Sequence, residues 1–413
     1  MIRPNIVQKT FPSGFKAQVI LKPGFNQRFF GIIVDFGSSD PQPVPGLAHF
    51  LEHKLFASQE GDLSLEFEKL GSDVNAFTSF NETMYYASGV KNVGPTIDLL
   101  FKLVGEPFFT KENVEQEIPI IQQELAMYQD EPDWVLGDSL LRAVYGDTNL
   151  AIDVAGTKES IASVTSGMLL ATYEENYVAE KLSFVACGDF SENQVKTIMR
   201  QAKTLSETYF KPGKGAKRSK PLPFKAGQDL VLPSQGVPLF ALEVSLPNFK
   251  KVLASQDLAQ ILLEIMLESK LGSMSTWFAG MRQKQLLNQP LQISVNTTRQ
   301  GNYVMILGTS QDAEKVIAEL KKQLQADQLF AGREMDGFFD LLKRSWLAQT
   351  IRGLDHLPAF SVELAEESLD GEDIFAMTEK IQAMSFADYQ AFCLDLWQGC
   401  GISTAYLAEG QED

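Results

Sequence analysis

The sequence predicts an α+β protein made of two tandem halves, each an antiparallel-rich sheet packed with helices. Three observations predict it. Runs of β-branched and aromatic residues alternate with long amphipathic stretches, so neither an all-α nor an all-β class fits. The order of those runs repeats after about 210 residues, the mark of a duplication. A chain of 413 residues also exceeds what one ordinary core organises.

In the first half, Lys16 to Leu21 and Phe29 to Phe36 read as strands, followed by the turn-rich break Gly37 to Pro43. Val44-Pro-Gly-Leu-Ala48 leads into a helix, and a second helix over Ser64 to Leu70 stops at Gly71, a natural C-cap. Asp73 to Phe80 and Thr83 to Val90 form a hairpin around Asn81-Glu82. Asn92 to Phe108 is amphipathic, and Thr110 caps a helix that runs to about Tyr128, with a kink expected at Pro119. The second half repeats this order: strands at Asp229 to Leu232 and Leu239 to Leu246, an apolar helix over Ser255 to Leu271 and a short one at Ser275 to Gln285. Strands at Leu291 to Thr297 and Asn302 to Leu307 come next, then helices at Ala313 to Gln325 and Arg333 to Thr350. Residues 209–225, basic and rich in Gly and Pro, read as a linker between an N-terminal half, 1–208, and a C-terminal half, 226–413.

Composition narrows the function classes. A formal charge of −17 argues against nucleic acid and anionic membrane surfaces as partners. No run reaches the ~18 apolar residues of a membrane helix, and the N-terminus has no secretory h-region. Cys187, Cys393 and Cys400 are an odd set without metal-knuckle spacing, which fits a reducing cytoplasm. Cys187 reads as a small buried hydrophobe, His356 receives no role, and the Phe338-Phe339-Leu341-Leu342 face reads as core.

Chemistry is concentrated in His49-Phe50-Leu51-Glu52-His53. Two imidazoles four residues apart share one face of a helix and can bind one ion, while Glu52 reaches a water beside it as general base. A catalytic site wants a third protein ligand and an open position. Glu117 and Glu124, two turns apart on one helix face, are the candidates, with Glu124 as ligand and Glu117 supporting it. In the second half the matching helix offers Ala259 to Glu264 and no ligand pair, so only one half can hold a metal this way.

Gly46-Leu-Ala-His-Phe-Leu-Glu-His53, Val74-Asn75-Ala76-Phe77-Thr78, Glu117 and Glu124, with Ala155-Gly-Thr-Lys-Glu-Ser-Ile161, Tyr173 and Tyr177 downstream, resemble the M16 (inverzincin) metallopeptidases. The closest likeness is to the short M16B type and its HxxEH-bearing members in Gram-positive bacteria. It covers nearly all of the first half strongly, and the second half in order of elements only. The resemblance implies one zinc ion per chain on His49, His53 and Glu124, Glu52 as general base, and two halves forming half of a two-subunit clamshell. It further implies an edge strand at Asn75, Ala76 and Phe77 on which an extended peptide lies by β-augmentation. Family members usually add an Arg and a Tyr, seven apart, from the second half. Here Arg282 is present, but Gln289 stands where the Tyr belongs. The expectation is therefore a zinc endopeptidase acting in an enclosed chamber, paired with a homologue that lacks HxxEH and supplies the Arg/Tyr pair. The alternatives are a homodimer and a non-catalytic peptide-binding or scaffold subunit.

Overall fold

The computed structural model describes residues 3–233, 236–247, 255–331 and 335–408. Strands β1 (Asn5–Thr10), β2 (Lys16–Leu21) and β3 (Arg28–Val34) precede helix α1 (Leu47–Leu55). A small hairpin, β4 (Ala57–Ser58) and β5 (Gly61–Asp62), leads to α2 (Ser64–Lys69), β6 (Ser72–Thr78), β7 (Thr83–Gly89), α3 (Val93–Gly105) and α4 (Lys111–Gln129). Next come α5 (Pro132–Tyr145), α6 (Lys158–Ala162), α7 (Ser166–Asn176), β8 (Leu182–Gly188) and α8 (Glu192–Tyr209). Then follow β9 (Asp229–Pro233), β10 (Leu239–Leu246), α9 (Gln256–Leu271), α10 (Thr276–Gln283), β11 (Gln292–Thr297) and β12 (Asn302–Thr309). The last described elements are α11 (Ala313–Gln323), α12 (Met335–Gly353), α13 (Leu357–Asp370), α14 (Ile374–Ala383), α15 (Phe386–Trp397) and β13 (Gly401–Ala408). Arg333, where the sequence places the start of a helix, lies outside the described residues.

The expected repeat is visible in the sheets. One has the order β1-β2-β8-β3-β7-β6 and the other β11-β12-β10-β13-β9. Read from the hairpin edge inward, β6-β7-β3-β8-β2 and β11-β12-β10-β13-β9 are the same arrangement. In both, only the β2–β8 or β13–β9 pair is parallel, and every other neighbour is antiparallel. This is a two-domain α+β fold of antiparallel-rich sheets packed with helices.

Two compact units form, and neither is continuous in sequence. The first joins Met1–Leu125, Asp153–Ser219 and Thr350–Ala376; the second joins Ala126–Ile152, Lys220–Gln349 and Met377–Asp413. The physical reason lies in the strands. Every residue of β8 is buried, so both of its faces need cover. Phe184 on one face packs against Phe101 of α3, their ring centroids 5.4 Å apart. Cys187, on the opposite face by strand alternation, meets Ser361 of α13. Gln18 Nε2 of β2 donates to the Leu364 carbonyl of α13 at 2.8 Å, anchoring that helix on the first sheet. In the second unit α5 takes the corresponding place, packing on β10 and β13.

Residues 210–228 carry no helix or strand. Arg218 ties this stretch to the first unit, pairing with Asp35 at 2.8 Å and with Asp370 of α13. Ser219 N–H adds a bond to buried Asp40 at 3.1 Å. Among the described residues, no helix is long and apolar enough to cross a membrane.

Candidate metal centre

Helix α1 is short and strongly two-faced. Leu47, Phe50, Leu51 and Leu55 are fully buried, while Glu52 and His53 line its other side. Its start is set by Gly46, at φ 86°, a left-handed conformation that strains any residue with a Cβ. A Cβ there would also lie 2.5 Å from the Ala155 carbonyl oxygen. Gly156, at φ +88°, closes the same contact from the other side, where a Cβ would meet the Pro45 carbonyl at 2.6 Å. Close backbone contact with Ala155 and Gly156 thus sets the entry of α1.

Helix α4 brings the carboxylates. Thr110 and Asn113 cap it reciprocally, at 3.1 Å and 3.0 Å, and it runs through Pro119 without interruption. Ile121 and Leu125 are buried and fix its rotation, which turns Glu117 and Glu124 toward α1. His49 Nε2 lies 3.8 Å from Glu124 Oε1, and His53 Nε2 lies 3.7 Å from Glu124 Oε2. One donor atom from each of His49, His53 and Glu124 falls within 4.8 Å of the others. Ligands of one tetrahedral ion, bound at about 2.1 Å, stand roughly 3.4 Å apart, so a small contraction brings these three into range. The donor set is two nitrogens and a carboxylate, which suits zinc and leaves a coordination position open. Among the described residues this is the one such group, and α9 of the second unit carries no counterpart.

Glu117 does not join that triangle. Its Oε1 is 3.1 Å from His53 Nδ1, and its Oε2 accepts from Lys54 Nζ at 2.9 Å. Burial pushes this carboxyl up, but hydrogen bonds from His53 and Lys54 outweigh it and hold the pKa down at about 2. For His53 the balance is similar: burial lowers its pKa, but the Glu117 hydrogen bond and the nearby charges of Glu52, Glu117 and Glu124 leave it raised. His49 is the opposite case. Burial and the neighbouring His53 ring lower it to about 3, so it is neutral and keeps one ring-nitrogen lone pair to offer a metal.

Glu52 is raised chiefly by burial, against the hydrogen bond from Thr78. That bond is short: Thr78 Oγ1 donates to Glu52 Oε2 at 2.6 Å. Thr78 ends β6, the edge strand of its sheet, and pairs in register with Thr83 of β7. Along the same strand Asn75 is exposed, and Ala76 and Phe77 are half-buried. The Ala76 N–H donates to the Asn75 side chain at 2.8 Å. Arg282 is exposed in the last turn of α10 and belongs to the second unit.

Two residues of this centre escaped the sequence reading. Lys54 stands where the helical period of Leu47, Phe50, Leu51 and Leu55 calls for an apolar side chain, and that anomaly could have flagged it. In the sequence Thr78 stands out only as the end of the Val74–Thr78 motif. Its contact with Glu52 spans 26 residues and leaves no local signal.

Comparison with known proteins bears on both units. Residues 24–158 match the sequence profile described as "Insulinase (Peptidase family M16)", and residues 163–326 match "Peptidase M16 inactive domain". The chain is 26% identical over 351 residues to a protein of Bacillus subtilis (strain 168) named "Uncharacterized zinc protease YmfH", with 81% of each chain covered. A zinc protease of Mycobacterium leprae (strain TN), also named as uncharacterized, is 29% identical over 203 residues, covering 48% of this chain and 46% of that one. Among solved structures, an M16-like peptidase from Alicyclobacillus acidocaldarius superposes with a TM-score of 0.85 at 20% identity, covering 99% of both chains. At that identity the likeness speaks for the fold.

Proposed function

Since the chain belongs to peptidase family M16, we propose that it is a zinc-dependent endopeptidase that hydrolyses peptides or small unfolded polypeptides. The observation that carries this reading is the meeting of His49, His53 and Glu124 beside a half-buried, hydrogen-bonded Glu52. In this reading those three residues hold one zinc ion per chain, and Glu117 orients His53. Bound zinc supplies Lewis acidity, acidifying water and polarising the scissile carbonyl.

Glu52 acts as general base and then general acid. With Oε2 held by Thr78, Oε1 takes a proton from the attacking water as its oxygen bonds to the carbonyl carbon. That proton passes to the departing amide nitrogen as the C–N bond breaks. Burial supports the role, because it brings the carboxyl's proton affinity nearer to what transfer at neutral pH needs. The free edge of β6 at Asn75, Ala76 and Phe77 takes the substrate as an added strand, and the Ala76 N–H leaves the Asn75 side chain to pair with the peptide. Backbone pairing of this kind depends little on side chains and suits varied peptides.

Arg282 is the chain's own candidate for further substrate contact, and Gln289 takes the place of the family's tyrosine. We therefore propose a dimer that encloses the substrate, with a homologue lacking HxxEH as the favoured partner and a homodimer as the alternative. The free cysteines Cys187, Cys393 and Cys400 support a reducing cytoplasm. We also propose duplicated halves at 1–208 and 226–413 that exchange the helices α5 and α13.

Hydrolysis of a quenched peptide library by zinc-replete protein tests the function, with Glu52→Gln as control. The variant is expected to keep its zinc and lose at least about a hundredfold in turnover. Turnover near the wild-type rate would overturn the assignment of Glu52. If neither protein cleaves, adding the homologous partner is expected to restore activity to the wild type alone.

A further inference from the structure

We propose that Lys54 is a positioning residue for the metal centre, fixing the ring and tautomer of His53 through the Glu117 carboxylate. The proposal deepens the zinc-site reading above and rests on it. Lys54 is 5% exposed, on the core-facing side of α1 immediately after His53. Lysine is almost never buried this deeply unless it is paired. Its partner is Glu117, at 2.9 Å.

The geometry makes Glu117 a bridge with both ends occupied. Oε2 is anchored by the Lys54 ammonium, so the carboxylate cannot rotate, and Oε1 stays 3.1 Å from His53 Nδ1. An ionised carboxylate only accepts hydrogen bonds, so His53 Nδ1 must carry the hydrogen. The ring's remaining lone pair is then on Nε2, the atom 3.7 Å from Glu124 Oε2. Carboxylate partners of this kind orient metal-binding histidines and typically change metal affinity by about 10–100-fold. Lys54 extends the chain one residue further: remove its ammonium, and Glu117 is free to turn its lone pairs away from the imidazole.

The full-length protein allows a direct test, because only three histidines contribute signals when histidine is labelled with nitrogen-15. In the metal-free wild type at alkaline pH, where the ring is neutral, His53 is expected as a single Nδ1–H tautomer. Lys54→Met is expected to give a tautomer mixture and to weaken zinc binding by about tenfold in chelator competition. Glu117→Gln is expected to weaken it comparably, and the double variant no further than Glu117→Gln alone. An unchanged tautomer together with wild-type zinc affinity in Lys54→Met would overturn the proposal. So would fully additive losses in the double variant, since Lys54 would then act by another route. Should Lys54→Met fail to fold, Lys54→Gln takes its place with the same two readouts. Failure of the wild type to bind zinc would remove the zinc reading itself, while the tautomer comparison still decides what Lys54 does to His53.

Discussion

Glu243 offers a quantitative test of the second unit. It lies in β10 between Met305 of β12 and Ser403 of β13, with no exposed surface. Ser245 Oγ donates to its carboxylate at 2.8 Å and Tyr145 OH at 3.3 Å. Burial outweighs these bonds and lifts the pKa from 4.5 to about 7. The folded protein therefore holds a proton that the unfolded chain has already lost in this range. The stabilisation is complete below about pH 4.5, declines as pH rises, and is gone above about 7. At about 1.4 kcal/mol per tenfold change in proton affinity, the loss is ~3 kcal/mol. Glu243→Gln is neutral throughout and can accept the same hydrogen bonds. Relative to wild type, it should gain ~3 kcal/mol of stability between about pH 4.5 and 8, or roughly 6–12 °C in Tm for a unit of this size. The assay is selective, because Trp134, Trp277, Trp346 and Trp397, the four tryptophans of the chain, all belong to the second unit. Fluorescence melts across that pH range therefore follow its unfolding. Parallel Tm profiles for variant and wild type would refute the reasoning, showing that the buried carboxyl ionises without penalty.

Two further substitutions probe the candidate metal centre. Thr78→Val keeps the side chain's shape but removes the 2.6 Å bond to Glu52. A hydrogen bond to a charged group is worth about 1.5–3 kcal/mol, so kcat should fall roughly 10–100-fold with KM little changed. Thr78→Ser should restore most of the rate, and equal losses in both variants would remove the hydroxyl from the explanation. Gly46→Ala places a methyl group 2.5 Å from the Ala155 carbonyl at a φ of 86°. It should cost about 1–3 kcal/mol in thermal or urea unfolding; a stability equal to wild type would show that the entry to α1 relaxes freely.

What was legible in the sequence is what depends on near neighbours in the chain. His49 and His53 share a face because a helix repeats every 3.6 residues, and nothing distant is needed to see it. The alternating run in β6, the apolar residues of α9 and the repeated order of elements were readable for the same reason. Legibility faded where cover came from far away. β8 is apolar along its whole length and gives no period, and its place between β2 and β3 depends on pairing across more than a hundred residues. Helix α13 packs against the first sheet, although in the chain it falls between β12 and β13 of the second. Among the acidic residues of α4, the period put Glu117 and Glu124 on one face but could not distinguish their tasks. Ile121 and Leu125 had to be buried before the helix's rotation was set, leaving Glu124 opposite both Nε2 atoms and Glu117 between His53 and Lys54. The sequence alone determined which residue types could bind a metal and on what spacing. The tertiary structure decided which carboxylate met which nitrogen, because that depends on how two separate helices settle their apolar faces into one core.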